Sequence, residues 1–381
     1  NITDYEIKIE KFFPLYNFKI TSQVNLDRLL INGYDMCSFS SLVKEKGSYD
    51  SNSVFGITDK KGSSCLSAGF IDLGDAFYGF DIEFGQANSF SAYCNREAIA
   101  LKPGCKIDIS DLIIVAGGSL WKSMALYADE VANKMGARTE KNPTGWCSWY
   151  YYYDQLTEKD LWDNINKIND TVLKEKIDVI QIDDGWNRRN ADSPRNWGDW
   201  DAGLLFPDGM KAVADKIKSE GFVPGLWLAP FSVDPGSRIY NEHPEWLVKK
   251  NNKPLNCFGA YVLDLSNPAV IDFVRQTFER VFNQWGFEYI KIDFLLHAVQ
   301  PGERLNNTKT TAELLRQGLR TIREVAGERF ILCCGCPMGP AVGICDAMRI
   351  GNDVSSRWDV RINPDCWPAG NLNIRAAAIH T

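Results

Sequence analysis

The amino-acid sequence predicts an α/β protein: a (β/α)8 TIM-type barrel, with about six βα units present, preceded by an all-β N-terminal sandwich domain. Three observations carry that reading. The first 118 residues hold short β-like runs broken by clusters of Gly, Asn, Asp and Ser. From residue 142 onward, apolar strands alternate with amphipathic helical segments. Polar or aromatic residues then close strand after strand, which is where a barrel keeps its functional groups.

In chain order, "SVFGITD", "AFYGFDIEF" and "KIDISDLIIVAGG" read as sandwich strands within 1–118. "SLWKSMALYADEVANKMGAR" places Leu120, Met124, Ala128 and Val131 at helical spacing, with Gly136 as the stop, and reads as a linking helix within 119–141. The third segment, 142–381, is the barrel. Its strands are "TGWCSW" (144–149), "DVIQID" (178–183), "FVPGLWLA" (222–229), "EYIKID" (288–293), "RFILCC" (329–334) and "AMRI" (347–350). Between them lie the helices "EKDLWDNINKIN", "GMKAVADKIKSE", "AVIDFVRQTFERVFNQW" and "TAELLRQGLRTIREVA". A doubly wound sheet is the alternative, but no Gly-rich phosphate loop follows any strand. The count ends in a sixth helix, "NLNIRAAAIHT" (371–381), so the expectation is a fragment truncated before its last two strands.

Composition narrows the function. With 45% hydrophobic and 24% charged residues the chain is a globular one, able to bury a large core. A net charge of −7 disfavours nucleic acid and anionic membranes as partners, and no apolar run reaches the ~18 residues of a membrane span. Eleven cysteines, an odd number without a small-scaffold spacing, predict reduced thiols and an intracellular, cytoplasmic location. The three histidines, His243, His297 and His380, have no paired spacing, so "CCGCPMGP" reads as a polar turn and neither metal nor cofactor is expected. His243 and His297 read as structural. The oligomeric state is not legible.

The chemistry concentrates in "EYIKIDF" (288–294). Side chains alternate along a strand, so Tyr289, Lys291 and Asp293 share one face while Ile290, Ile292 and Phe294 share the other. In a barrel the first set points to the axis, where Lys291 favours the ionised form of Asp293, as a carboxylate nucleophile requires. An internal ion pair without chemistry is the plainer alternative. "AMRIGND" repeats the pattern with Arg349, Gly351 and Asp353, which places two carboxylates on alternate strands around one mouth. Such a pair is the equipment of a glycoside hydrolase. Arg349 would depress the acidity an acid needs, so its guanidinium is expected to point to a substrate hydroxyl instead. Asp183 and Asp184 in "QIDDGW" suit two vicinal hydroxyls, with a turn role for Asp184 as the alternative. Trp149, Trp200 and Trp227 are candidate stacking platforms, or else core filling.

"GWCSWYYYY", "IQIDDGW", "GDWDAGLLFPDGM", "PGLWLAPF", "HPEWLVK", "YIKIDF" and "CGCPMGPAVGICDAMRIGND" resemble, in the same order, the motifs of α-galactosidases of glycoside hydrolase family 36. The resemblance runs from about residue 142 to 358 and is loose over 1–141. It implies a small-molecule carbohydrate substrate, a terminal α-galactosyl group as in melibiose, raffinose or stachyose, cleaved with retention and without a metal. It further implies Asp293 as nucleophile, Asp353 as acid/base, and Asp183, Asp184, Lys291, Arg349 and Trp227 around the galactose, with Trp149 and Cys336 lining the same subsite. Galactosyl transfer of the raffinose-synthase type, α-N-acetylgalactosaminidase activity, and non-catalytic galactoside binding are the alternatives. Asn352 stands where family members read proline, and "INPDC" (362–366) resembles a later family motif out of place.

Overall fold

The computed structural model describes residues 5–35, 38, 40–85, 87–138, 143–189, 196–351 and 353. The expected sixth helix, "INPDC" and Asn352 lie outside them. Among the described residues nine strands precede the first helix: β1 (Ile7–Ile20), β2 (Arg28–Ile31), β3 (Ser41–Val43), β4 (Gly47–Asn52), β5 (Val54–Thr58), β6 (Cys65–Phe70), β7 (Phe77–Phe84), β8 (Asn88–Leu101) and β9 (Leu112–Ala116). They pair antiparallel in two sheets, β1-β8-β7-β4 and β3-β2-β5-β6-β9. Alternate residues of both sheets, among them Phe55, Phe70, Phe80 and Phe90, meet in one buried cluster.

Helix α1 (Leu120–Met135) starts on Ser119, whose side chain accepts from the Lys122 N–H, and stops at Gly136 in the left-handed region at φ 67°. It packs along the five-stranded sheet. Tyr127 donates its hydroxyl to the Phe70 carbonyl at 3.0 Å, and Leu120 lies over Gly56, where a Cβ would meet it.

The barrel strands are β10 (Gly145–Cys147), β11 (Val179–Ile182) and β12 (Val223–Leu228), separated by α2 (Trp149–Tyr152), α3 (Glu158–Asn169) and α4 (Gly209–Ser219). A long connection follows, with α5 (Arg238–Glu242) and five two- or three-residue strands: β13 (Ser232–Val233), β14 (Lys249–Lys250), β15 (Lys253–Pro254), β16 (Asn256–Cys257) and β17 (Ala260–Val262). Then come α6 (Pro268–Glu279), which runs on as a π-helical turn, β18 (Tyr289–Ile292), α7 (Thr311–Ala326), β19 (Phe330–Cys333), α8 (Met338–Ala341) and β20 (Ala347–Met348). α3 and α7 each begin with a capping box, at Thr157 with Asp160 and at Thr310 with Glu313.

The six barrel strands form one parallel sheet in the order β10-β11-β12-β18-β19-β20. Sequence order and spatial order coincide. A doubly wound sheet must reverse its order at a switch point, and this one does not, so among the described residues the architecture is that of a half-barrel. Ile180, Ile182, Leu226, Leu228, Ile290 and Ile292 are buried against the helices. Their neighbours Gln181, Trp227 and Lys291 point the other way, and the register pairs Trp227 with Lys291.

The two regions share polar contacts. Glu97 caps α7 by accepting from the Thr311 backbone N–H (2.9 Å) and hydroxyl (2.7 Å), while Thr310 Oγ1 donates to the Asp75 carbonyl. A disulfide joins Cys333 to Cys345. The expectation of reduced thiols throughout is therefore corrected at this pair: β19 and the turn before β20 bring two sequence-distant cysteines side by side, which spacing alone does not reveal. No helix among the described residues is long and apolar enough to cross a membrane.

Candidate active site

Lys291 is the hub. It stands near the C-terminal end of β18, and its Nζ lies 3.0 Å from Asp183 Oδ2 and 3.6 Å from Asp293 Oδ2. The cation is thus closer to Asp183 than to Asp293, the partner expected from the sequence. Asp183 follows β11 and is nearly closed to solvent at 2%. It also accepts from Gln181 Nε2 (2.6 Å), the Asp184 N–H (3.0 Å) and the Cys147 thiol (3.4 Å). Burial works against the Lys291 ammonium, but its surroundings, the Asp183 carboxylate foremost and then the Cys334 sulfur and the Asp293 carboxylate, outweigh it and hold the group well above the ordinary lysine range.

Asp293 is reachable where Asp183 is not, with 14% of its side chain exposed against 2%. Burial pushes its acidity the unfavourable way. Lys291, the Trp227 indole N–H (3.1 Å), the Phe294 N–H (2.7 Å) and the Cys334 thiol together more than offset this, and the group sits below its usual range. Phe294 adopts a left-handed backbone at φ 54°, ψ 31°, a tight turn that brings its own N–H back onto Asp293 Oδ1.

Asp353 lies beyond β20. Arg349 Nη2 pairs with its Oδ1 at 2.7 Å, and the Trp149 indole N–H donates to its Oδ2 at 3.0 Å. The expectation that Arg349 would point away from Asp353 is overturned; their four-residue spacing across the end of a short strand lets the chain fold the carboxylate back over the guanidinium. Burial opposes the Arg349 charge, and Cys334 and Asp353 more than compensate for it. Arg349 Nη1 also lies 3.8 Å from Cys334 Sγ. The buried Cys334 thiol, raised by burial and then by Asp293, therefore bridges the two carboxylate neighbourhoods.

The remaining expected residues take varied places. Asp184 is buried and accepts from the Gly185 N–H (2.8 Å) and the Trp197 indole (3.1 Å), away from the donors of Asp183. Trp149 opens the short helix α2 instead of ending a strand, because Ser148 already carries helical backbone angles. Trp227 is buried with its N–H on Asp293, and presents a hydrogen bond rather than an open face. Trp200 is 1% exposed, stacked on Trp186 and edge-on to Trp227, so an open platform there is not what the structure places; its ring completes an aromatic core. Cys336 is buried and faces the Pro337 carbonyl, while Cys334 takes the position beside Asp293. His297 is buried against Ser232, and His243 stacks on Trp246.

Sequence reasoning missed Gln181, Cys147 and Trp197, and read Cys334 only as part of the strand-closing "CCGC" turn. A signal existed for three of them. Gln181 shares the parity of Asp183 and is in register with Cys147, and Cys334 is two residues after Leu332, the register partner of Lys291. Among the described residues no group of three or more His, Cys, Asp or Glu side chains is arranged to hold a metal ion.

A parallel half-barrel with buttressed carboxylates at its strand C-terminal ends is the class of scaffold that the fold and site define. Residues 124–328, more than half of the chain, match the family model described as Melibiase, and the chain belongs to that family. It is 27% identical over 241 residues to alpha-galactosidase AgaA of Geobacillus stearothermophilus, covering 60% of this chain and 32% of that relative. It is 28% identical over 187 residues to alpha-galactosidase Mel36A of Lactobacillus acidophilus, covering 45% and 25%. The chain thus spans no more than about a third of the length of these curated relatives. Among solved structures, TtGalA, an alpha-galactosidase from Thermus thermophilus in complex with stachyose, superposes with a TM-score of 0.74 at 24% identity, over 98% of this chain and 79% of that one. The GH36 alpha-galactosidase AgaA from Geobacillus stearothermophilus gives 0.67 at 18% identity, over 86% and 50%. At these identities the structural likeness speaks for the fold.

Proposed function

We propose that the complete protein is a retaining α-galactosidase acting on terminal α-galactosyl groups of small oligosaccharides of the melibiose and raffinose type. One observation carries the reading: a reachable carboxylate, Asp293, is held ionised at the end of a central parallel strand, and a second carboxylate, Asp353, stands across Cys334 and Arg349 from it. Membership of the Melibiase family and the alpha-galactosidases among its relatives support it.

In the first half-reaction an Asp293 oxygen attacks the anomeric carbon. The bond to the leaving oxygen breaks, and that oxygen takes the proton of Asp353, leaving a galactosyl ester on Asp293. In the second, Asp353 takes a proton from water, the hydroxide attacks the anomeric carbon, and Asp293 departs as carboxylate. The structure holds Asp353 with two donors, Arg349 and Trp149, on its two oxygens, an arrangement that suits the base form of the second step. Lys291, Trp227 and the Phe294 N–H keep Asp293 a competent nucleophile and leaving group. Asp183 and Asp184 are the proposed galactose ligands, and Asp183 also serves as counter-ion to Lys291.

The test is hydrolysis of a nitrophenyl α-galactoside by the complete protein, with the first-formed sugar followed by proton NMR. Initial release of α-galactose is expected, and turnover should be abolished in Asp293→Ala. Initial release of the β anomer, or an active Asp293→Ala, refutes the mechanism.

A further inference from the structure

The segment after β10 reads Trp-Tyr-Tyr-Tyr-Tyr-Asp over 149–154, and only part of it serves the chemistry above. Trp149 donates to Asp353. Tyr152 is an anchor, since its hydroxyl accepts from Asn164 Nδ2 at 2.7 Å and its ring packs edge-on against Trp146. Tyr153 has no such duty. It is 56% exposed, its ring meets Trp149 edge to face with centroids 5.5 Å apart, and its backbone sits at φ 51°, ψ −130°.

That backbone conformation is costly for any residue with a Cβ, and such residues persist where the surroundings fix them. Here the surroundings do. The next residue, Asp154, lies directly on the backbone at the end of β11: a Cβ on Gly185 would come within 2.4 Å of the Asp154 carbonyl oxygen. The turn's backbone is clamped between this contact and the Tyr152 anchor, and it presents an exposed aromatic ring one ring away from Asp353.

The reading of Asp353 as acid and base supplies the direction, and the inference rests on it. An acid that protonates the glycosidic oxygen touches the atom joining galactose to its leaving group, so the leaving group starts at Asp353 and extends toward solvent. Trp149 and Tyr153 form an aromatic pair that starts at Asp353 and ends in solvent. The geometry points to Tyr153 as the platform on which the leaving-group sugar packs, making it a specificity determinant for galactosides whose leaving group is a pyranose. The apolar face of a pyranose suits a tyrosine ring whose backbone is fixed in advance, because little main-chain ordering remains to be done on binding.

The experiment compares kcat/KM of the complete protein for melibiose and for α-galactosyl fluoride, whose departing fluoride is too small to reach the ring. In Tyr153→Ala the melibiose-to-fluoride ratio is expected to fall about tenfold, the size of one lost aromatic contact. Tyr153→Phe should restore it. Tyr153→Gly, which the positive φ favours, gives the same reading should the alanine variant fold poorly. An unchanged ratio in the alanine and glycine variants overturns the inference, as does a phenylalanine variant no better than alanine. A wild-type protein that turns over neither substrate overturns instead the reading of function on which the inference stands.

Discussion

Replacing Lys291 with methionine takes one charge and little volume from the point where two carboxylates meet. Nζ is 3.0 Å from Asp183 and 3.6 Å from Asp293, with only 5% of the lysine side chain exposed. At an effective dielectric of ~20 these separations correspond to attractions of about 5.5 and 4.6 kcal/mol. Desolvating the ammonium cancels much of this, and breaking a buried pair by removing one partner costs about 3–5 kcal/mol. The signs follow from the two directions. Lys291 is raised in the folded protein, so its contribution is complete below the unfolded lysine pKa and is lost only as pH rises through the folded value. Asp293 is depressed, so its contribution is complete above the unfolded aspartate pKa and is lost as pH falls through the folded value. Both are therefore fully present at neutral pH.

In Lys291→Met the carboxylates relieve their repulsion by binding a proton, so the folded pKa of Asp293 rises. If only a third of the 3.6 Å attraction survives desolvation, about 1.5 kcal/mol, the shift is about one unit. The Trp227 and Phe294 donors remain and limit it. The variant should lose about 3–5 kcal/mol in urea unfolding at pH 7, less at pH 5, and the acid limb of its kcat/KM profile on a nitrophenyl α-galactoside should move up by about one unit. An acid limb within ~0.3 unit of wild type, together with a stability loss under ~1 kcal/mol, would show that Lys291 does not govern Asp293.

Two further substitutions probe the same centre. Asp183→Asn removes the nearer partner of Lys291 and turns the cation wholly toward Asp293; kcat should fall about 10–100-fold, the range of one charge-assisted hydrogen bond, while the acid limb stays low. An acid limb that moved upward in steady-state pH profiles would contradict this. Gly185→Ala forces a Cβ against the Asp154 carbonyl at a backbone φ of +104° and should cost about 1–3 kcal/mol in thermal or urea unfolding; a variant as stable as wild type would mean that the 149–154 turn can move away.

Most of the barrel was legible because its signals are local. Glu158–Asn169 and Thr311–Ala326 form helices over the stretches their periodicity predicts, each opened by a Thr with an acid three residues on. β18 was legible because Lys291 and Asp293 interrupt an apolar run at a spacing of two, and only one face of a strand in a parallel sheet can accept that. What stayed hidden depends on where the chain turns after a strand ends. Arg349 and Asp353 lie past β20, where period-two logic no longer applies, and their mutual pairing follows from a turn the sequence does not encode in any one residue. Trp149 illustrates the same limit, since one early helical residue at Ser148 redirects its indole to Asp353. Cys334 is the instructive case. The alternation that locates Asp293 also locates Cys334, through Leu332, whereas the family resemblance points two residues on, to Cys336.

In the proposed mechanism the nucleophilic carboxylate poses two opposed demands, and the spacing around Lys291 meets both. A cation bound tightly to Asp293 would keep it ionised but would compete with the anomeric carbon for its electrons, whereas no cation at all would leave burial to protonate it. Here the ammonium has a permanent counter-ion in Asp183, which is closed to solvent and fixed by Gln181, Cys147 and a backbone N–H. Asp293 receives the residual field from 3.6 Å, supplemented by neutral donors from Trp227, Phe294 and Cys334. Neutral donors lower the acidity constant without placing a full opposing charge on the oxygen. On the proposed mechanism the negative charge thus stays available to face the positive charge that builds at the anomeric carbon, which is where a preformed electrostatic environment contributes most. The same arrangement explains why an apparently self-defeating burial is tolerated: each charge in the barrel mouth has a partner or a donor within hydrogen-bonding reach, and the two carboxylates of the proposed mechanism, Asp293 and Asp353, are the ones left partly open.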